Sequence, residues 1–542
     1  MKKRILICSE LHTLNTGYSN YSKELLYGLS SLGKYDIAEY ATYLSADEQR
    51  PMNVPWKIYP SAPAKNSPER QQFDSDPSNV FGKYWFEKVC LDFRAEYVID
   101  IRDYWMLDFE GYSPFRPYYN WLIAPACDAE PQNEQWLYTY SQADGCFSYS
   151  EWGANLLAKS SNSKINVLGA ATPCSPKEYI PLDTIKCKQH MKISPDSYIL
   201  GTVMRNQRRK LYPELFESFR TFLDESKRSD IYLYCHTSYP DYGWDFPYLL
   251  KYHGITNRVL FTYKCKSKEC GYFGASHFSD AATICPKCRQ LTYCLPNVKD
   301  GLNHAEMAVV YNSMDLYVQF SNSEGLGMPQ MEAASCGVPL TSVNYSAMCD
   351  FVNKLNAMPI EPLALYTELE TGCKRAIPNN KQLVDNLKKF FTLPKAMQMI
   401  KRQSVRDAYL RNYNYEWTVK KWADAIDSID NALPWNSPSR FKHPNTNVPP
   451  NLNNSDFVKW IIVNVLGDPS KLGTYFESRL VRDICFGYCI GGQPGTYFNE
   501  DSEKFSRTPF ASFNRETAVN YLLNMRGKIN HFENERMKVI HA

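Results

Sequence analysis

No stretch of this sequence is apolar enough for long enough to cross a membrane as a helix. The best candidate, Trp460–Leu466, is seven residues, against the ~18–20 a span needs. The start, MKKRILICSELHTLN, is basic, but its apolar run from Ile5 to Cys8 is four residues. A secretory leader needs about 7–15. The expectation is a soluble, cytoplasmic protein. A strong charge of either sign is also lacking: 61 basic and 58 acidic residues leave a net +3. That excludes a histone-like binder but leaves room for a local basic groove. No repeat with a 20–50-residue period is visible. Disorder is excluded by what is there: 44% hydrophobic and 14% aromatic residues in a chain of 542, enough for several domains and a large core without disulfides.

The pattern along the chain alternates short apolar strands with helices. RILIC (4–8) reads as a buried strand, followed by a loop with Gly17 and a helical pattern from Tyr18 to Leu32 that Gly33 stops. Further strands are expected at Tyr97–Ile101, Gly145–Tyr149 and Ile165–Leu168. A second strand–loop–helix opening begins at Tyr198, and strands follow at Ile231–Cys235, Val259–Thr262, Leu316–Gln319 and Pro339–Val343. Such alternation predicts an α/β fold with two parallel-sheet domains. Residues 413–430 read as an amphipathic helix. Residues 431–455, with five prolines, read as a linker, and 456–542 as a separate C-terminal region in which Gly491, Gly492 and Gly495 mark turns.

Residues 321–339, SNSEGLGMPQMEAASCGVP, hold the strongest chemical signal. A strand end runs into a glycine loop and then a helix opening near Pro329. Free N–H groups and the positive end of a helix dipole suit a phosphate. Glu324 in the loop and Glu332 eight positions on suit hydroxyl donors instead. Together they suggest a sugar nucleotide. A capping glutamate and a surface glutamate are the plainer reading.

The segment matches E-G-[FL]-G-x-P-x-x-E-A-x-x-x-G-x-P at every fixed position. It resembles the signature of GT-B glycosyltransferases of the large retaining family that includes sucrose and glycogen synthase-like enzymes (family 4-like). GTVMRNQRRK resembles the family stretch in which Arg205 and Lys210 would clasp the donor diphosphate; Arg208 and Arg209 compete for that role. Gly17 stands where the family carries a glycine loop facing the donor, and Gly325, Gly327 and Glu332 complete the donor-binding set. The resemblance covers about residues 1–430. It implies two facing Rossmann-like domains: an acceptor domain over 1–180, a nucleotide-sugar donor domain over 195–412, and a crossover helix at 413–430. It implies sugar transfer from a nucleotide donor with retention and no catalytic metal. Glu324, Arg205 and Lys210 are the expected catalytic residues. Asp103 joins them on the acceptor side, with Asp100 and Asp108 as rivals and Asp128 as a further cleft candidate. A metal-dependent GT-A enzyme would use Asp74 and Asp76, but no apolar strand precedes that pair.

Four cysteines are clustered: Cys265, Cys270, Cys285 and Cys288, spaced C-x4-C-x14-C-x2-C over 263–294. Two thiolate pairs on knuckle-like turns suit a structural zinc, with His277 and Cys294 as substitute ligands and Lys264, Lys266, Lys268 and Lys287 offsetting the charge. A closed four-thiolate site is not catalytic. The ribbon is expected to prop the fold or contact a macromolecule. The acceptor expected here is a hydroxymethylated base in duplex DNA, as modified by some bacteriophage glycosyltransferases of GT-B fold, favoured by the ribbon and by Trp435, Arg440, Arg507, Arg515 and Arg526. Alternatives are a glycan, lipid-linked or small-molecule acceptor, or an inactive GT-B binding module.

Overall fold

The computed structural model describes residues 2–48, 53–297, 301–440, 443–487, 496–499, 504–507 and 513–541. The glycines 491, 492 and 495 and the side chain of Arg507 lie outside what it describes.

The first sheet has seven strands: β1 (Lys3–Glu10), β2 (Tyr35–Ser45), β3 (Lys57–Ala62), β4 (Tyr97–Asp100), β5 (Asn120–Ile123), β6 (Gly145–Ser148) and β7 (Val167–Ala170). Their order is β3-β2-β1-β4-β5-β6-β7, and every pairing is parallel. Strands buried on both faces must be apolar or internally satisfied. β1 meets the first condition through Ile5, Leu6, Ile7 and Cys8, all fully buried. β2 meets the second. Its buried Glu39 accepts from the His12 amide at 2.9 Å and the Trp56 indole at 3.0 Å and lies 2.7 Å from His12 Nδ1. β2, β3 and β5 were not expected from the apolar pattern.

The second sheet holds β8 (Tyr198–Val203), β9 (Ile231–His236), β10 (Val259–Cys265), β11 (Phe273–Ser276), β12 (Thr283–Ile284), β13 (Leu291–Cys294), β14 (Leu316–Gln319), β15 (Leu340–Val343) and β16 (Met358–Ile360). The path runs β12-β13-β10-β9-β8-β14-β15-β16, with β11 also on β10. The strands from β10 to β16 along this path pair in parallel. β11, β12 and β13 are antiparallel and form the cysteine ribbon.

Both sheets reverse their winding direction, the first between β1 and β4, the second between β8 and β14. In open α/β sheets ligands sit at such switch points, beyond the carboxyl ends of the strands. The Gly17 loop follows β1 and Asp103 follows β4. Lys210 follows β8 and Glu324 follows β14. The topology therefore carries all four sequence candidates to the same edges.

The helix Tyr415–Ser428 returns to the first sheet. Trp422 is fully buried, its indole donating to the Tyr21 hydroxyl at 3.0 Å beside Phe147. Gly28 lets this helix approach: a Cβ there would lie 2.4 Å from the Tyr415 hydroxyl and from Val419. The proline-rich stretch after it is pinned, with Trp435 buried and its indole donating to the Ala95 carbonyl at 2.8 Å. In the C-terminal region the long helix Arg515–His541 sets Glu533 against the Tyr118 hydroxyl at 3.0 Å, with Arg536 on Glu533 at 2.7 Å. No helix among the described residues is long and apolar enough to cross a membrane.

Candidate active site in the cleft

Glu324 is the centre of a charged cluster at the carboxyl edge of the second sheet. It follows β14, its amide donates to Ser346 Oγ at 2.9 Å, and its side chain is buried. Lys210 Nζ forms an ion pair with Glu324 Oε1, and Arg209 Nη1 with Oε2 at 2.6 Å. Ser321 Oγ and Gln319 Nε2 each donate to Oε1 at 2.8 Å. A backbone bridge between Lys210 and Ser321 ties the two loops together. Burial, and after it the neighbouring Arg209 charge, push the Lys210 ammonium well down, against the pull of Asp128.

Beyond Glu324 the loop turns at Gly327, whose φ of +84° is left-handed. Helix Met328–Ser335 begins there with no side-chain cap, leaving N–H groups of its first turn for another partner. Gly325 packs against the first domain: a Cβ on it would lie 3.0 Å from Ala126 Cβ. Gly17 faces the same helix, with Met328 Sδ 3.9 Å from the place of its missing Cβ. Glu332 is buried and accepts from the Tyr311 hydroxyl at 2.5 Å; burial pushes its carboxyl up to about 7.

The basic residues divide differently from their spacing. Arg209, the sequence's rival candidate, reaches Glu324. Arg205 forks onto Asp241 at 2.8 and 2.9 Å and stays half-exposed, although its charge is felt by Glu10 across the cleft. Arg208 is exposed.

The acidic wall belongs to the first domain. Asp103 occupies the N-cap position of helix Tyr104–Gly111 without making a cap bond. Its carboxyl is pushed up to about 7 by burial, against the pull of the Tyr18 hydroxyl and Arg209. Glu10, at the end of β1, accepts from the Thr16 hydroxyl and is also pushed up by burial. Asp128 reaches across to Arg375 Nη1 at 2.7 Å, and Arg375 also holds Ser323 at 2.6 Å and Glu368 at 2.8 Å. This cross-domain pair was not foreseen as a pair; no spacing links residues 247 apart. The rivals lie elsewhere. Asp100 and Glu110 enclose Arg102, all fully buried. Asp108, pushed up to about 6 mainly by burial, lies among Lys83, Arg479 and Asp76. Asp74 pairs with Arg70, and Asp76 caps Pro77–Phe81 and pairs with Lys83 at 2.8 Å.

The four clustered cysteines come together. Their Sγ atoms all lie within 4.8 Å of one another, with Cys265–Cys288 at 3.7 Å and Cys270–Cys285 at 3.8 Å. These gaps are too wide for disulfides at about 2.05 Å. A tetrahedron with Zn–S near 2.3 Å has edges of about 3.8 Å, so the set fits a metal. Turns with Gly271 and Arg289 at positive φ follow the two pairs. His277 Nδ1 lies 3.1 Å from the Val259 carbonyl, and Cys294 donates to the Lys264 carbonyl; neither belongs to the cluster.

This two-sheet arrangement is the GT-B fold. Residues 297–407 match the family described as glycosyl transferases group 1. Among solved structures, the sucrose-phosphate synthase of Thermosynechococcus elongatus is similar at TM-score 0.57 and 14% identity, over 79% of this chain and 98% of that one. HepE of Anabaena, solved with UDP and glucose, is similar at 0.54 and 10%, over 79% and 100%. A glycosyltransferase of Rickettsia africae is similar at 0.51 and 12%, over 79% and 98%. No curated protein matches the chain in sequence.

Proposed function

We propose that the chain is a glycosyltransferase that moves a sugar from a nucleotide-sugar donor to an acceptor hydroxyl, with retention of configuration. The observation that carries the reading is the Lys210–Glu324–Arg209 cluster beside the uncapped start of helix Met328–Ser335. Fixed cations and free amides suit a diphosphate, and a carboxylate among them suits sugar hydroxyls. Retention follows from the sequence resemblance. In the reaction the bond from the anomeric carbon to the diphosphate oxygen breaks, and the diphosphate leaves with the electron pair. The acceptor oxygen bonds to that carbon and gives up its proton. Lys210, with Arg205 or Arg209 beside it, stabilises the charge gathering on the diphosphate. Glu324 orients the sugar, Glu332 the ribose, and the Gly17, Gly325 and Gly327 backbone makes room for the phosphates. The four thiolates hold a structural zinc away from the chemistry, because a closed site offers no open position. The test is incubation with UDP-, GDP- and ADP-sugars. Release of the matching nucleoside diphosphate supports the reading; silence with every donor refutes it.

Asp103 is proposed to take the acceptor proton. With its carboxyl near 7, log kcat/KM rises with pH and levels off above about 7, since the ionised form is the base. Asp103→Asn removes that limb and lowers the plateau by about 10²–10⁴-fold. A limb that persists in the variant, at near-normal rate, assigns the proton to the departing phosphate instead. The stability sign is opposite: a carboxyl raised on folding favours the folded state at low pH. That contribution fades between the unfolded value of about 3.9 and the folded value near 7.

A further inference from the structure

After β16 the chain forms a hairpin, β17 (Pro362–Thr367) and β18 (Lys374–Pro378), paired antiparallel. The hairpin grips the loop that leads into Glu324. The Ala376 amide donates to the Asn322 carbonyl at 3.0 Å, Asn322 Nδ2 donates to the Tyr366 hydroxyl at 3.0 Å, and Arg375 Nη1 donates to Ser323 Oγ at 2.6 Å. It also grips the loop after β5 of the first sheet. The Lys374 amide donates to the Glu130 carbonyl at 2.7 Å, the Cys373 thiol to the Pro131 carbonyl at 3.2 Å, and Arg375 Nη1 to Asp128 Oδ2 at 2.7 Å. Arg375 belongs to both sets of contacts. Glu368 in the turn holds the rest of its fork, accepting from Nε at 3.1 Å and Nη2 at 2.8 Å.

Asp128 is close to more than one cation. Burial pulls the Arg209 guanidinium down, and Asp128 is the foremost charge opposing that pull, ahead of Tyr18 and Asp103. Lys210, pulled down by burial and by Arg209, has Asp128 acting the other way as well. These are the two cations that line the Glu324 cluster. A carboxylate free to join them repels an incoming phosphate and competes with it for the same partners. In the structure the ion pair of Asp128 is with Arg375, while Arg209 and Lys210 have theirs with Glu324.

We infer that Arg375 is a positioning residue for the donor site: it holds Asp128 away from Arg209 and Lys210, so that both face the donor diphosphate unopposed, and through Ser323 it sets the loop that carries Glu324. The inference rests on the glycosyltransferase reading and adds to it a residue that acts through its neighbours, without touching the reacting atoms. Arginine suits the task because its rigid fork satisfies Asp128, Ser323 and Glu368 together, which the single ammonium of a lysine does not reproduce. Removing it leaves no deeply buried charge alone: Asp128 is 32% exposed and Glu368 22%. The freed Asp128 then turns to the nearest cations, Arg209 and Lys210.

The experiment is a double-mutant cycle over Arg375→Ala and Asp128→Asn, with Arg375→Lys beside it. It reads donor KM and kcat with UDP-, GDP- and ADP-sugars, and the affinity for UDP, GDP and ADP by calorimetry. Arg375→Ala is expected to raise donor KM and to weaken the bound nucleoside diphosphate by about tenfold, because Asp128 then competes for the cations. Arg375→Lys recovers part of the loss, keeping the charge without the fork. Arg375→Ala/Asp128→Asn recovers most of it, since an asparagine brings no charge to Arg209 and Lys210; a merely structural contact gives no such rescue. Losses that add in the double variant overturn the inference, and so does an unchanged nucleotide affinity in Arg375→Ala. A wild type that binds none of the three nucleotides and consumes no donor overturns the glycosyltransferase reading itself.

Discussion

Lys210→Ala lowers transfer by about 10²–10³-fold, the cost of removing one fixed stabiliser of transition-state charge. The loss falls on kcat rather than on acceptor KM, because the charge it meets develops as the diphosphate departs. The protein stays folded: Glu324 retains Arg209, Ser321 and Gln319 as partners, so no buried charge is orphaned. Glu324→Gln separates the sugar contact from the cation. The amide keeps the shape but loses the acceptor strength of a carboxylate, and leaves Lys210 with a weaker partner. A fall of similar size is expected, with an unchanged circular-dichroism spectrum. Near-normal turnover in both variants would remove the site assignment. Arg205→Ala and Arg209→Ala then distinguish the two arginines. Arg209 already touches Glu324, while Arg205 must leave Asp241 to reach a donor.

The second large effect belongs to the cysteines. Elemental analysis is expected to find about one zinc per chain, the stoichiometry of one four-thiolate site. Cys285→Ser/Cys288→Ser loses it. Four thiols at these separations repel one another once ionised, so the empty site opens and the 265–294 segment becomes the first point of proteolysis. The damage reaches further. Cys265, Cys285 and Tyr293 are buried among side chains of the second sheet, and β11 and β13 both pair with β10. A lower thermal midpoint of the donor domain accompanies metal loss. A metal-free wild type of unchanged stability would contradict this.

How much of this was legible depended on whether local pattern or distant contact placed the residue. The alternation of strand and helix announced both sheets, because fully buried parallel strands have to be apolar, as Ile5–Cys8 is. β2 escaped because Glu39 interrupts its pattern, and the partners that make burial tolerable, His12 and Trp56, lie 27 and 17 residues away. The 431–455 stretch read as a linker by composition, yet Trp435 and Leu433 fix it to the first domain. At the site, Glu324, Glu332, Gly325 and Gly327 came from one contiguous motif, and the four thiols from their spacing. The arginine that reaches Glu324 did not. Residues 205–210 form an irregular loop, where no period fixes the direction of a side chain. Arg375 was unreadable for a different reason. Its partner Asp128 follows the first sheet, and only the packing of the two sheets' edges brings them together.

The central claim is that the Glu324 cluster receives a nucleotide-sugar. The most direct measurement is mass-spectrometric detection of nucleoside diphosphate released from UDP-, GDP- and ADP-sugars, by the wild type and by Lys210→Ala in parallel. The account predicts release from at least one donor by the wild type, suppressed about 10²-fold or more in the variant. No release from any donor, or equal release by both proteins, would contradict it.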